Sequence, residues 1–191
     1  FTTDRSLNAI GNSLFLAVSS ACICSVLGTL AVLAVRRSKG RLGKIVEGVS
    51  MLPERMPAIV LVIGIMLFWN AIYKVIPLYN TMGIMVLAYV VLYLPYTVQY
   101  VTSSFTQIND SLLQAGRTFG GSPFYVFRRV TLPMISRGVL AGWMMIFIIA
   151  FRELVTASLI APPNVLVVST YINREFEQGS VSLGMAMAVL C

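Results

Sequence analysis

The sequence predicts an all-α integral membrane protein, a bundle of five spans, and three observations carry that expectation. Of its 191 residues, 58% are hydrophobic and 11% charged, where a soluble domain carries about 25% charge. The uncharged residues fall in runs long enough for helical crossings, which need about 20 residues each. The basic residues gather in alternate connections, the bias that cytoplasmic loops show. A large soluble catalytic domain is excluded. The net charge of +7 is read as a record of loop orientation and not as a nucleic-acid surface.

Between Arg5 and Arg36 there are 30 residues without a charge, which places span one at about 11–35. A secretory signal would carry its basic cluster before the apolar run, and here the cluster follows it. Span two is expected at 56–73, led in by Pro53 and Pro57, and span three at 81–105. Arg137 opens span four, expected at 137–160 and interrupted only by the adjacent charges Arg152 and Glu153. The last uncharged run, 178–191, reads as the first part of span five. The chain is one transmembrane domain over 1–191. It opens without a methionine and stops in an apolar run, so it is read as part of a longer polypeptide.

Arg36, Arg37, Lys39, Arg41, Lys44 and Arg55 lie between spans one and two, and Arg117, Arg128, Arg129 and Arg137 between spans three and four. Ten of the fourteen basic residues therefore fall on one side. The positive-inside rule makes that side cytoplasmic and puts the amino-terminal end outside, together with the loop at 161–178.

The connection at 106–136 is about 30 residues long, where compact connections run to a handful, so it holds structure of its own. Asp110 is suited to cap a short helix over 111–119, ended by Gly120 and Gly121, since glycine takes the left-handed conformation of a helix C-cap. Ser122 caps a second helix with Pro123 at its first position, where a missing amide costs nothing, and Pro133 limits its far end. Leu112, Leu113, Phe119, Phe124, Tyr125 and Phe127 give this polar-side segment more apolar surface than a loop needs. A partner, or the headgroup layer, must cover it.

These residues resemble the cytoplasmic motif of binding-protein-dependent ABC importer permeases: Glu-Ala-Ala, three residues, Gly, nine residues, Ile, one residue, Leu-Pro. The matching positions are Gln114, Ala115, Gly116, Gly120, Val130, Leu132 and Pro133. Spacing agrees throughout. The departures are Gln114 for glutamate, Gly116 for the second alanine and Val130 for isoleucine. The resemblance implies a type I permease fold of five core spans, with a coupling helix between the third and fourth that seats in a cytoplasmic ATPase. It also implies an ATPase dimer, an extracytoplasmic substrate-binding protein, a second permease bundle of the same or a paralogous chain, and a bacterial or archaeal cytoplasmic membrane. The ATPase would hydrolyse the nucleotide, so no catalytic residue is assigned to this chain and no cofactor is expected.

Arg152 and Glu153 lie about 22 Å beyond Arg137 at 1.5 Å per residue. Charges within a span are costly and face protein or a water-filled path. Successive residues diverge on a helix, so the two are expected to serve different partners, with Thr156 in reach. The alternative is that Arg152 snorkels to the headgroups and Glu153 neutralises it. Phe151-Arg152-Glu153-Leu154, with Ser158-Leu159-Ile160, Pro162-Pro163 and the run 165–171, resembles the ferric iron branch of these permeases. That likeness implies that Arg152, Glu153 and Thr156 sit on the translocation path or its outer mouth. One carboxylate cannot make a specific ferric site, so selectivity would rest with the binding protein.

Other features carry less. The three cysteines are filler, and histidine is absent, which removes the commonest metal ligand and general base. No metal site is assigned. Gly43-Lys44 lacks the first glycine and the hydroxyl residue of a phosphate loop. Tyr89, Tyr93, Tyr96 and Tyr100 mark one face of span three, either a helix contact or a wall of the path. Two rival readings stand: an ion-coupled transporter or channel, and a purely structural membrane subunit. An ABC permease for phosphonate, thiamine, polyamine or sulfate would carry the same connection.

Overall fold

The computed structural model describes residues 4–37, 41–108, 118, 120 and 122–190. Among them all regular structure is helical. The order is α1 (Asp4–Arg37), α2 (Arg41–Met51), a 3-10 turn at Pro53–Arg55, α3 (Ala58–Ala71) and α4 (Met82–Thr106). After the long connection come α5 (Pro123–Val126), a π-helical turn (Phe127–Thr131), α6 (Leu132–Phe151), α7 (Val155–Ile160), α8 (Val168–Glu177) and α9 (Val181–Leu190).

Three helical stretches, Asp4–Arg36, Met82–Thr106 and Phe124–Phe151, are long and apolar enough to cross a membrane. Span three coincides with α4 to within a residue, and α1 extends span one at both ends. Helix α3 is shorter than expected, 14 residues or about 21 Å, against a hydrocarbon core of about 30 Å. The preceding turn accounts for the deficit. Gln99 Nε2 donates to Glu54 Oε2 at 2.5 Å, and Gln99 lies seven residues before the end of α4, about 10 Å in. The chain therefore starts α3 part-way along the bundle.

The core is the mutual packing of α1, α4 and α6. Lipid tails are as apolar as leucine, so helices in a bilayer associate through close backbone approach at small residues. Gly138 and Gly142 supply it on α6, four residues apart. A side chain at Gly138 would collide with Ser104 Oγ and sit 2.7 Å from the Tyr100 carbonyl oxygen. On α1, Gly28 meets Thr97 of α4 in the same way. These pairings make α1 parallel and α6 antiparallel to α4. The Arg36 guanidinium lies 5.0 Å from the Phe105 ring centre and Gly138 abuts Ser104, so both basic connections leave from the same end of the bundle. On the tyrosine face, Tyr89 and Tyr93 are buried helix contacts, whereas Tyr100 is 37% exposed.

Two expectations are corrected. The helix begun at Pro123 does not stop at Pro133, which is the second residue of α6. Proline lacks the amide for the bond four residues back, and its ring crowds that carbonyl. The π-helical turn absorbs the defect by widening the ladder one residue, and the Leu132 amide donates to the Phe127 carbonyl. Span four, in turn, is not one helix over 137–160. It breaks after Phe151, where the Arg152 and Glu153 amides tighten onto the Ile149 and Ala150 carbonyls at 3.2 and 3.4 Å. The chain restarts as α7, six residues long.

Candidate functional site

Irregular backbone at membrane depth survives only where protein or water satisfies its polar groups, so the break at 152–154 needs partners. They come from three elements. Glu153 Oε1 accepts from the Thr156 amide at 3.0 Å and from the Thr156 hydroxyl at 3.2 Å, placing a carboxylate at the amino end of α7, where the free amides favour negative charge. Glu153 Oε2 accepts from the hydroxyl of Tyr93, the twelfth residue of the 25-residue α4. The Glu153 carbonyl, freed by the break, accepts from Ser169 Oγ of α8 at 2.6 Å. Helix α1 then fixes α8: Ser13 Oγ accepts from the Val168 amide at 2.9 Å, and Asn12 Nδ2 donates to the Leu166 carbonyl at 2.9 Å.

Thr156 is fully buried, Glu153 is half-buried and Arg152 is exposed. The groups that hold Glu153 are thus two hydroxyls and an amide. Arg152, its neighbour in sequence, turns elsewhere. The arrangement holds the Glu153 carboxyl group against α4 and α7, with the exposed Arg152 side chain beside it. Among the described residues no group of three histidine, cysteine or acidic side chains stands close enough to hold a metal ion. Sequence reasoning put Thr156 in reach of Glu153 but did not name Tyr93 as the partner of Glu153, nor Ser169, Ser13 and Asn12. The available signal was Asn12 and Ser13, polar residues in an apolar span, which face protein more often than lipid.

The second candidate region is the basic connection. Gln114, Ala115 and Gly116, with the expected first helix over 111–119 and its cap Asp110, lie outside the described residues, apart from Thr118. Gly120 has φ +80°, the left-handed conformation expected of the corner and one that other residues adopt at a cost. The Tyr125 amide donates to Ser122 Oγ at 3.2 Å, the expected cap, and α5 begins at Pro123. Phe124 and Tyr125 are exposed by 70% and 58%. Val130 is half-buried in the π-helical turn, and Leu132 and Pro133 are exposed at the start of α6. This end of the molecule presents aromatic surface beside the exposed cations Arg128, Arg129 and Arg137.

Comparison with known proteins bears on both regions. The family described as binding-protein-dependent transport system inner membrane component matches residues 25–191. The chain is 30% identical over 158 residues to the Fe(3+)-transport system permease protein FbpB 2 of Haemophilus influenzae, covering 83% of this chain and 31% of that protein. It is 29% identical to the putrescine transport system permease protein PotI of Escherichia coli K12, covering 84% of this chain and 58% of that one. To the spermidine/putrescine transport system permease protein PotC of the same strain it is 26% identical, covering 84% and 60%. The chain thus spans less than two thirds of the length of each of these relatives.

Proposed function

This chain belongs to the family of binding-protein-dependent transport system inner membrane components, and from that premise we propose that it is one bundle of the membrane path of an ATP-driven importer. Its basic end faces the cytoplasm and its amino-terminal end the outside. The cytoplasmic partner is an ABC ATPase dimer seated on the connection around Gln114, Ala115 and Gly116. An extracytoplasmic binding protein delivers the cargo, and a second bundle completes the path.

The observation that carries the reading is a rod. From Pro123 the chain runs as unbroken helix through the π-helical turn to Phe151, 29 residues or about 43 Å. One end meets the left-handed corner at Gly120, and the other ends at the carboxylate break. A corner that fixes direction and a helix that does not bend freely convert a push at the ATPase into displacement of Arg152, Glu153 and Thr156 against Tyr93. ATP binding would draw two such connections together and open the bundles outward, and hydrolysis would reset them.

Arg152 beside Glu153 leaves the break without a net charge, so the cargo is inferred from the relatives and selectivity rests with the binding protein. Ferric iron is the first candidate and a polyamine the second. The relatives named above are named for iron and for putrescine or spermidine.

Gly120→Pro tests the coupling. It should abolish uptake and binding-protein-stimulated ATP hydrolysis while leaving membrane insertion intact; uptake at the normal rate would contradict coupling through this corner. Uptake of radiolabelled ferric iron, competed by unlabelled putrescine, separates the two cargoes.

A further inference from the structure

Helix α2 has no role in the transport reading, yet its surface is patterned. Gly43 and Ser50 are buried on the side packed against α1 and α4. On the opposite side Ile45, Val49 and Leu52 are exposed by 57%, 64% and 49%, and their four- and three-residue steps put them on one stripe. Arg41, one turn before Ile45, extends the stripe at its start, Lys44 flanks it, and Arg55 stands beyond its far end, all three exposed. A groove of about 630 Å³ runs along this face between Lys44 and Arg55.

The two acidic residues of the segment, Glu47 and Glu54, offset part of that charge and leave an excess of one cation. Glu54 is engaged by Gln99, and Glu47 stands on the ridge between this groove and a cleft it shares with Arg36 and Gln99. Depth decides the partner. The helix starts at the basic end of the bundle and leads to the 3-10 turn level with Gln99, so Arg41 and Lys44 lie where headgroups lie and the apolar stripe runs inward from them to Arg55. An apolar face with cations at its border is the pattern of a helix seated at the boundary of headgroups and acyl chains, and basic residues there draw anionic lipid.

We propose that α2 is an anionic-phospholipid site, with Arg41 and Lys44 on the headgroup phosphate and Ile45, Val49 and Leu52 against the acyl chains. The site holds the start of α3 at a fixed depth in the leaflet at the basic end. It is independent of cargo and of the ATPase connection.

The test uses the full transporter with its native cysteines replaced by alanine and a fluorophore on Val49→Cys, an exposed position. The protein is reconstituted in vesicles of phosphatidylcholine, with either brominated phosphatidylcholine or brominated phosphatidylglycerol as the minor component. Phosphatidylglycerol should quench the probe about twofold or more over phosphatidylcholine at equal mole fraction, because each basic residue at the surface favours anionic lipid. Arg41→Gln together with Lys44→Gln should erase the difference. Equal quenching by both lipids would overturn the anionic site. So would a probe that neither lipid quenches, whether it is reached by an aqueous quencher or cross-linked to another subunit.

Discussion

The rod from Pro123 to Phe151 is disturbed near each of its ends, and the two disturbances differ in kind. At the basic end, Pro133 removes one amide from the ladder, and the π-helical turn at Phe127–Thr131 absorbs the loss within the same helix. At the other end no proline or glycine stands between Phe151 and Val155. There the freed Glu153 carbonyl accepts from Ser169, the Thr156 amide donates to the Glu153 carboxylate, and Tyr93 anchors that carboxylate from α4. A backbone cause is absorbed by a change of ladder within one helix, whereas a break held by side chains ties four elements together. The proposed coupling puts the first at its handle and the second at its working end.

The largest effect should follow removal of the carboxylate. Glu153→Ala leaves the Tyr93 hydroxyl and the amino end of α7 without their acceptor. It should lower stability by about 2–3 kcal/mol, read as a fall in the thermal midpoint in detergent, while Glu153→Gln, which still accepts, should lose about half as much. Equal losses would mean that the charge and not the acceptor geometry holds the break. Tyr93→Phe removes one hydrogen bond and should cost about 1 kcal/mol. An unchanged midpoint would detach α4 from the break.

The smallest thermodynamic effect belongs to the basic end. Pro133→Ala restores the missing amide, so the π-helical turn can relax to a regular ladder with a stability change below about 1 kcal/mol. Relaxation by one residue rotates everything before it by about 100°. Uptake and stimulated ATP hydrolysis should therefore fall although the midpoint does not. If Glu153→Ala were silent and Pro133→Ala unfolded the protein, the contrast between the two ends would be reversed.

This contrast also explains what the sequence could reveal. Helices α1 and α4 were legible because bilayer thickness sets the length of an uncharged run, and α4 matches its expected bounds to within a residue. Ser122, Pro123 and Gly120 were legible because their effects are local, a cap, a missing amide and a positive φ. Pro133 was read with the right local chemistry and the wrong outcome, since whether a helix ends or widens at proline depends on the chain beyond it. Beyond Pro133 that chain is a long apolar helix packed on α4, and its packing carries the helix through the defect. The break after Phe151 was not legible, because its causes lie 60 residues upstream at Tyr93 and 16 downstream at Ser169. The Gly138 and Gly142 pair was legible in principle as small residues four apart. It reports the α4 contact and nothing about transport.

Orientation is the claim on which coupling rests, and Arg128 reports it most directly, being exposed in the π-helical turn at the basic end. A cysteine at this position, Arg128→Cys, should resist a membrane-impermeant maleimide in intact cells and react once the membrane is permeabilised. It should also be shielded when the ATPase is bound. Reaction in intact cells at the permeabilised rate would put the rod's handle outside the cell and contradict the mechanism.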